Sequence, residues 1–108
     1  MKLKELHKEL ESISGFEGKV AYRSFPKKEA PNLPFICYLE TGSDNFDADN
    51  YAYFKVKEVA IELYSKEKDL ASEEAIEKKL DEIGIPFDKD ETYITSEQCY
   101  ETIYTVEV

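Results

Sequence analysis

The eleven residues Asp44 to Phe54, DNFDADNYAYF, hold three aspartates and two asparagines around one phenylalanine. Oxygen side chains at this density suit a hard cation, acid/base chemistry, or the polar rim of a protein contact. A calcium loop of the EF-hand type needs oxygen ligands at positions 1, 3, 5 and 12 and glycine at 6. Counted from Asn45, Asp47 and Asp49 fall at the third and fifth positions, but Asn50 replaces the glycine and Val56 the final ligand. Counted from Asp47, Tyr51 and Ala52 occupy the fifth and sixth positions. Both registers fail, so no metal is expected between Asp44 and Asn50.

Catalysis finds equally little support. Paired carboxylates need a substrate-orienting partner, and the sequence offers no Ser-His-Asp set, no cysteine–histidine pairing and no glycine-rich phosphate loop among its four glycines. The single histidine, His7, flanks a helical apolar stripe and reads as structural. Cys37 and Cys99 each sit in apolar strand-like text and read as buried free thiols, without the CxxC spacing of a metal site. A non-enzymatic protein with no cofactor is expected. The reading that accounts best for Phe46 is a partner surface. There Phe46 and Tyr51 act as anchors, and Asp44, Asn45, Asp47, Asp49 and Asn50 form the polar rim.

The 108 residues suit one domain, 1–108, with 42% hydrophobic and 35% charged residues giving a globular profile. The longest apolar run, Phe35 to Leu39, is far below the ~20 residues of a membrane helix, and Met1 to Leu6 lacks the apolar core of a secretory leader. The net charge of −10, from 24 acidic and 14 basic residues, disfavours nucleic acid and anionic membrane as partners.

Periodicity supplies the elements. Leu3, Leu6, Leu10 and Ile13 make one apolar stripe, predicting a helix over about Lys2–Ser12 that ends at Ser14-Gly15. Lys19–Phe25 reads as a short strand, and the proline-rich PKKEAPNLP after it as a loop. Phe35–Leu39 is a strand apolar on both faces, followed by the acidic segment as a loop. Tyr51–Tyr64 reads as one long strand. Its apolar parity changes between Val56 and Val59, which predicts a bulge near Lys57-Glu58. A second helix over Asp69–Gly84 has Asp69 or Ser72 as its cap, and Ile76, Leu80 and Ile83 as its buried face. Strands at Tyr93–Thr95 and Cys99–Val108 close the chain. The expected fold is α+β, order α-β-β-β-α-β-β, with a mostly antiparallel or mixed sheet and both helices on one face.

Three stretches, LPFICYLETGSDNFDADNYAYF, AIELYSKEKD and ETYITSEQCYETIYTVEV, resemble small structural proteins of long-tailed bacteriophages and prophages of Gram-positive bacteria. The matching residues are Pro34-Phe35-Ile36, Ala48-Asp49-Asn50, Tyr53, Ile61-Glu62-Leu63-Tyr64, Lys68-Asp69, Ser96-Glu97 and Tyr100-Glu101, with Ser65 where threonine is expected. The likeness runs from about Leu33 onward; the first helix matches in type alone. It implies a tail-completion (tail terminator) protein or a closely related head–tail joining protein. Such proteins are α+β domains assembled as rings that cap the tail tube and face the head connector, with no catalytic residues to carry over. The implied partners are further copies of the chain (a hexamer among the open copy numbers), the tail tube and the head-connector proteins. The implied locations are the bacterial host's cytoplasm during assembly and the virion. Two alternatives stay open from the residues: an acidic inhibitor occupying a nucleic-acid-binding site on a host enzyme, and a cation-dependent binding module using Asp44, Asp47 and Asp49.

Overall fold

In a computed structural model the elements run in the order α1 (Leu3–Glu11), β1 (Val20–Tyr22), β2 (Phe35–Ser43), β3 (Phe46–Ala48), β4 (Tyr51–Phe54), β5 (Lys57–Ser65), α2 (Leu70–Glu82), β6 (Phe87–Ile94) and β7 (Cys99–Glu107). The structure describes residues 1–26, 28–43, 46–48, 51–54 and 56–108, and of residues 43, 46–48 and 51–54 it describes backbone alone. Five strands form one mixed sheet in the order β1-β2-β5-β7-β6. β1 runs parallel to β2, with Val20 beside Ile36, and the other neighbours are antiparallel. Within this sheet and its helices the order is α-β-β-β-α-β-β, and the class is α+β.

Alternation along the strands decides what each face does. Tyr38 lies opposite Ile61 and Ile61 opposite Tyr104, while Val59 lies opposite Val106, so these side chains share one face. That face is the core: Ile36, Val59, Ile61, Leu63, Tyr104 and Val106 cluster with Leu6 and Leu10 of α1 and Ile76 and Leu80 of α2. Both helices therefore lie on one side. Each fully buried Leu or Ile contributes roughly 1.5–3 kcal/mol through the water it sheds. Helix α2 starts where the Asp69 carboxylate accepts the Ser72 amide at 3.0 Å. It stops at Gly84, whose φ of +73° suits glycine, while the Ile85 amide donates to the Leu80 carbonyl at 2.9 Å.

Four expectations change. The long strand Tyr51–Tyr64 is two strands in different sheets: β4 pairs with β3, and β5 belongs to the main sheet. The parity change between Val56 and Val59 marks the place where the chain leaves one ladder for another. The register irregularity falls on the facing strand, between Glu40 and Gly42 of β2. The acidic segment, read as a loop, contains both strands of the β3–β4 ladder. The strand expected at Tyr93–Thr95 is longer, Phe87–Ile94. As an edge strand it is largely exposed and carries too little apolar alternation to be read.

Candidate functional site

The acidic segment lies in sequence between Ser43 and Lys57, which pair with each other at the end of the β2–β5 ladder. Phe46 and Asp47 belong to β3 and Tyr51 opens β4; Phe46 lies opposite Phe54, Asp47 opposite Ala52 and Ala48 opposite Tyr51. Asp44, Asn45, Asp49 and Asn50 lie outside the described residues, as do the side chains of Phe46, Asp47 and Tyr51. Among the described residues no group of three or more His, Cys, Asp or Glu side chains is arranged to hold a metal ion, and no helix is long and apolar enough to cross a membrane.

The two cysteines are buried and free. Cys37 lies on β2 and Cys99 on β7, with β5 between them. Burial, with the nearby Glu62 and Glu101 carboxylates, pushes the Cys37 thiol up to about 11, which leaves it protonated and a poor nucleophile. His7 is held at both ring nitrogens: Nδ1 lies 2.9 Å from the Tyr38 hydroxyl and Nε2 2.6 Å from Glu11 Oε1. It ties α1 to the sheet.

Two constellations were not foreseen from the sequence. The first joins α2 to β6 and β7. Glu73 is 1% exposed, and its carboxylate receives Lys68 Nζ and Lys89 Nζ, each at 2.8 Å. Lys89 also reaches Glu77 at 2.8 Å, and Glu77 accepts the Tyr104 hydroxyl at 2.8 Å. Burial alone would raise the Glu73 carboxyl, but the two lysines outweigh it and hold it below the usual range. Every charge in this group is answered, so it reads as a fastening for α2.

The second lies on the sheet face opposite the helices. Tyr64 Oη is 3.2 Å from Glu62 Oε1 and 3.0 Å from Glu101 Oε2. Desolvation first, and then the Glu101 carboxylate, push the Glu62 carboxyl up to about 7. Tyr64 lies directly opposite Glu101, and Glu62 is diagonal to it across the β5–β7 ladder. The signal for this group in sequence is a glutamate at the non-core parity of each of two strands, IELY and YETIY, but their adjacency depends on a pairing the sequence does not print. Neither a protein-family model nor a curated protein matches the sequence.

Proposed function

We propose that the chain is a non-enzymatic assembly protein of a long-tailed phage or prophage, a tail terminator-like ring that caps the tail tube and meets the head connector. The observation carrying this reading is the separate β3–β4 ladder. It gives the acidic segment backbone pairing of its own, held between the paired residues Ser43 and Lys57 of a packed sheet. A ladder of this kind suits contact with a neighbouring subunit, because backbone order precedes binding and lowers its entropic cost. The α+β domain also has the build implied by the sequence resemblance from Leu33 onward. On this reading the protein acts in the host cytoplasm during assembly and stays in the virion, with copies of itself, the tube and the connector as partners.

Light scattering over a range of concentrations tests it. The wild-type chain should rise from its 12.5 kDa monomer mass to that of a closed ring. Phe46→Ala should keep the wild-type thermal melt but lose assembly, since a buried aromatic anchor contributes about 2 kcal/mol or more. In prophage complementation it should give tails that are missing, of abnormal length, or unable to join heads. Asp47→Asn should change little, because a rim charge is screened by salt. A chain that stays monomeric at all concentrations sinks the ring reading and favours a binding module acting on a host protein. Normal virion yield from Phe46→Ala removes the ladder from the interface.

A further inference from the structure

The sheet face away from the helices has an unusual combination of side chains. Its apolar part is formed by Phe35, Leu39, Ala60, Tyr64 and Ile103, which share one parity across β2, β5 and β7. Phe35 stacks against Tyr64 at 5.3 Å between ring centroids, and Phe25 meets it edge-on at 5.2 Å. None of these five belongs to the helix-covered core cluster. Phe35, Leu39, Tyr64 and Ile103 are partly exposed, so the face is not sealed by the described residues.

Among the described residues of β5, β6 and β7, the charged side chains that alternate onto it are all acidic: Glu58, Glu62, Asp88, Asp90, Glu101 and Glu107. The lysines of these strands, Lys57 and Lys89, have the opposite parity and fall on the helix-covered side. At the centre, Tyr64 stands between two carboxyl groups with one hydroxyl proton. It can donate to Glu62 or to Glu101, and the two carboxyls also hydrogen-bond each other. Two carboxyls in that contact need a proton between them or a cation from outside. Among the described residues no lysine or arginine lies within ion-pair distance of either glutamate.

We propose that this sheet face is a docking surface for a partner protein presenting an arginine or lysine flanked by apolar side chains, with the cation seated between Glu62 and Glu101. Apolar flanks would cover Phe35, Leu39 and Ile103, and the basic group would take the place of the proton through which Glu62 meets Glu101. The same face of a second copy fits badly, because it sets six carboxylates against six. The groups facing Glu62 are Cys37 on β2, Tyr64 on its own strand and Glu101 on β7, with Asp90 of β6 beyond Ile103. None of these supplies positive charge. In the free protein Glu62 holds its proton up to about pH 7, so cation binding near neutrality expels it.

The probe is a blocked peptide of alternating leucine and arginine, with its citrulline counterpart as control, titrated calorimetrically into the full chain in two buffers of different ionisation enthalpy. The arginine peptide should bind one per chain, release protons near pH 7 and tighten as pH rises. Glu62→Gln/Glu101→Gln should weaken it by roughly tenfold or more, whereas Glu74→Gln/Asp81→Asn, an equal charge change on exposed α2 positions, should stay within about twofold. Equal weakening by both variants, tight binding of the citrulline peptide, or absence of proton release from the wild-type chain overturns the proposal. The last outcome needs no variant to fold. Loss of self-association in Glu62→Gln/Glu101→Gln without peptide also overturns it, by making a second copy the occupant.

Discussion

Lys89→Met tests whether the charge group under α2 fastens the helix. The Lys89 ammonium donates to Glu73 and to Glu77, both at 2.8 Å, and lies 5.8 Å from the centre of the Tyr104 ring. Methionine keeps most of the apolar stem and removes both charge-assisted hydrogen bonds, each about 1.5 kcal/mol in a favourable case. Glu73, with a side chain 2% exposed, keeps Lys68 alone, while Glu77 keeps the Tyr104 hydroxyl. The Lys89 side chain is itself 35% exposed, so solvent screening lowers the sum from about 3 to about 2 kcal/mol. For a domain of this size that is roughly 8 °C in Tm. The loss should depend on pH. Glu73 and Glu77 both have carboxyls held below their ordinary values. Their stabilisation is therefore present above the unfolded carboxylate pKa, near 4.3, and disappears as pH falls through the lower folded values. Urea unfolding should show the full loss at about pH 7 and a progressively smaller one as pH is lowered below about 4.3. Lys78→Met, at an exposed position of the same helix, should cost no more than about 0.5 kcal/mol. A Lys89→Met loss as small as that control, or one unchanged at acid pH, refutes the reasoning.

Leu80 is fully buried between α2 and the sheet. Leu80→Ala should cost about 2–5 kcal/mol by urea unfolding, and a loss below about 1 kcal/mol would show that α2 does not seal the core. Glu62 gives the opposite pH signature to Glu73. Its folded pKa, raised to about 7, lies above the unfolded value, so the folded state binds the extra proton. Stability should then fall as pH rises between about 4.5 and about 7. Glu62→Gln should abolish that part of the profile, gaining on the order of 1 kcal/mol over wild type at about pH 8 after allowance for partial exposure, and nothing at about pH 4. A wild-type and variant difference that does not change with pH would show that the pair is solvated and independent.

What could be read from the sequence, and what could not, divides along a physical line. Leu3, Leu6, Leu10 and Ile13 announce α1, and Asp69, Gly84 and Pro86 bracket α2, because helix periodicity, caps and stops are local. Val59, Ile61 and Leu63, like Tyr104 and Val106, alternate with polar or small residues within a single strand, and all five are buried. Failure came wherever the answer depended on which strand lies beside which. From Tyr51 to Tyr64 every residue suits a strand, and only pairing partners show that Phe54 answers Phe46 while Lys57 answers Ser43. Lys89 and Glu91 of β6 look like solvated polar text until β6 is set at the sheet edge beside β7, with Lys68 and Glu73 close by. Glu62 and Glu101 are 39 positions apart and meet because antiparallel register puts Tyr64 opposite Glu101. Each charged group recovered here joins residues from different elements, so no window along the chain contains it. A polar residue at core parity, or a lone carboxylate inside an apolar strand, is the signal the sequence does print. It says that a partner must exist without saying where. Lys89 and Glu73 find theirs inside the fold. Glu62 and Glu101 stay together by keeping a proton that a free glutamate would lose, and that makes their face of the sheet the place to look for another protein.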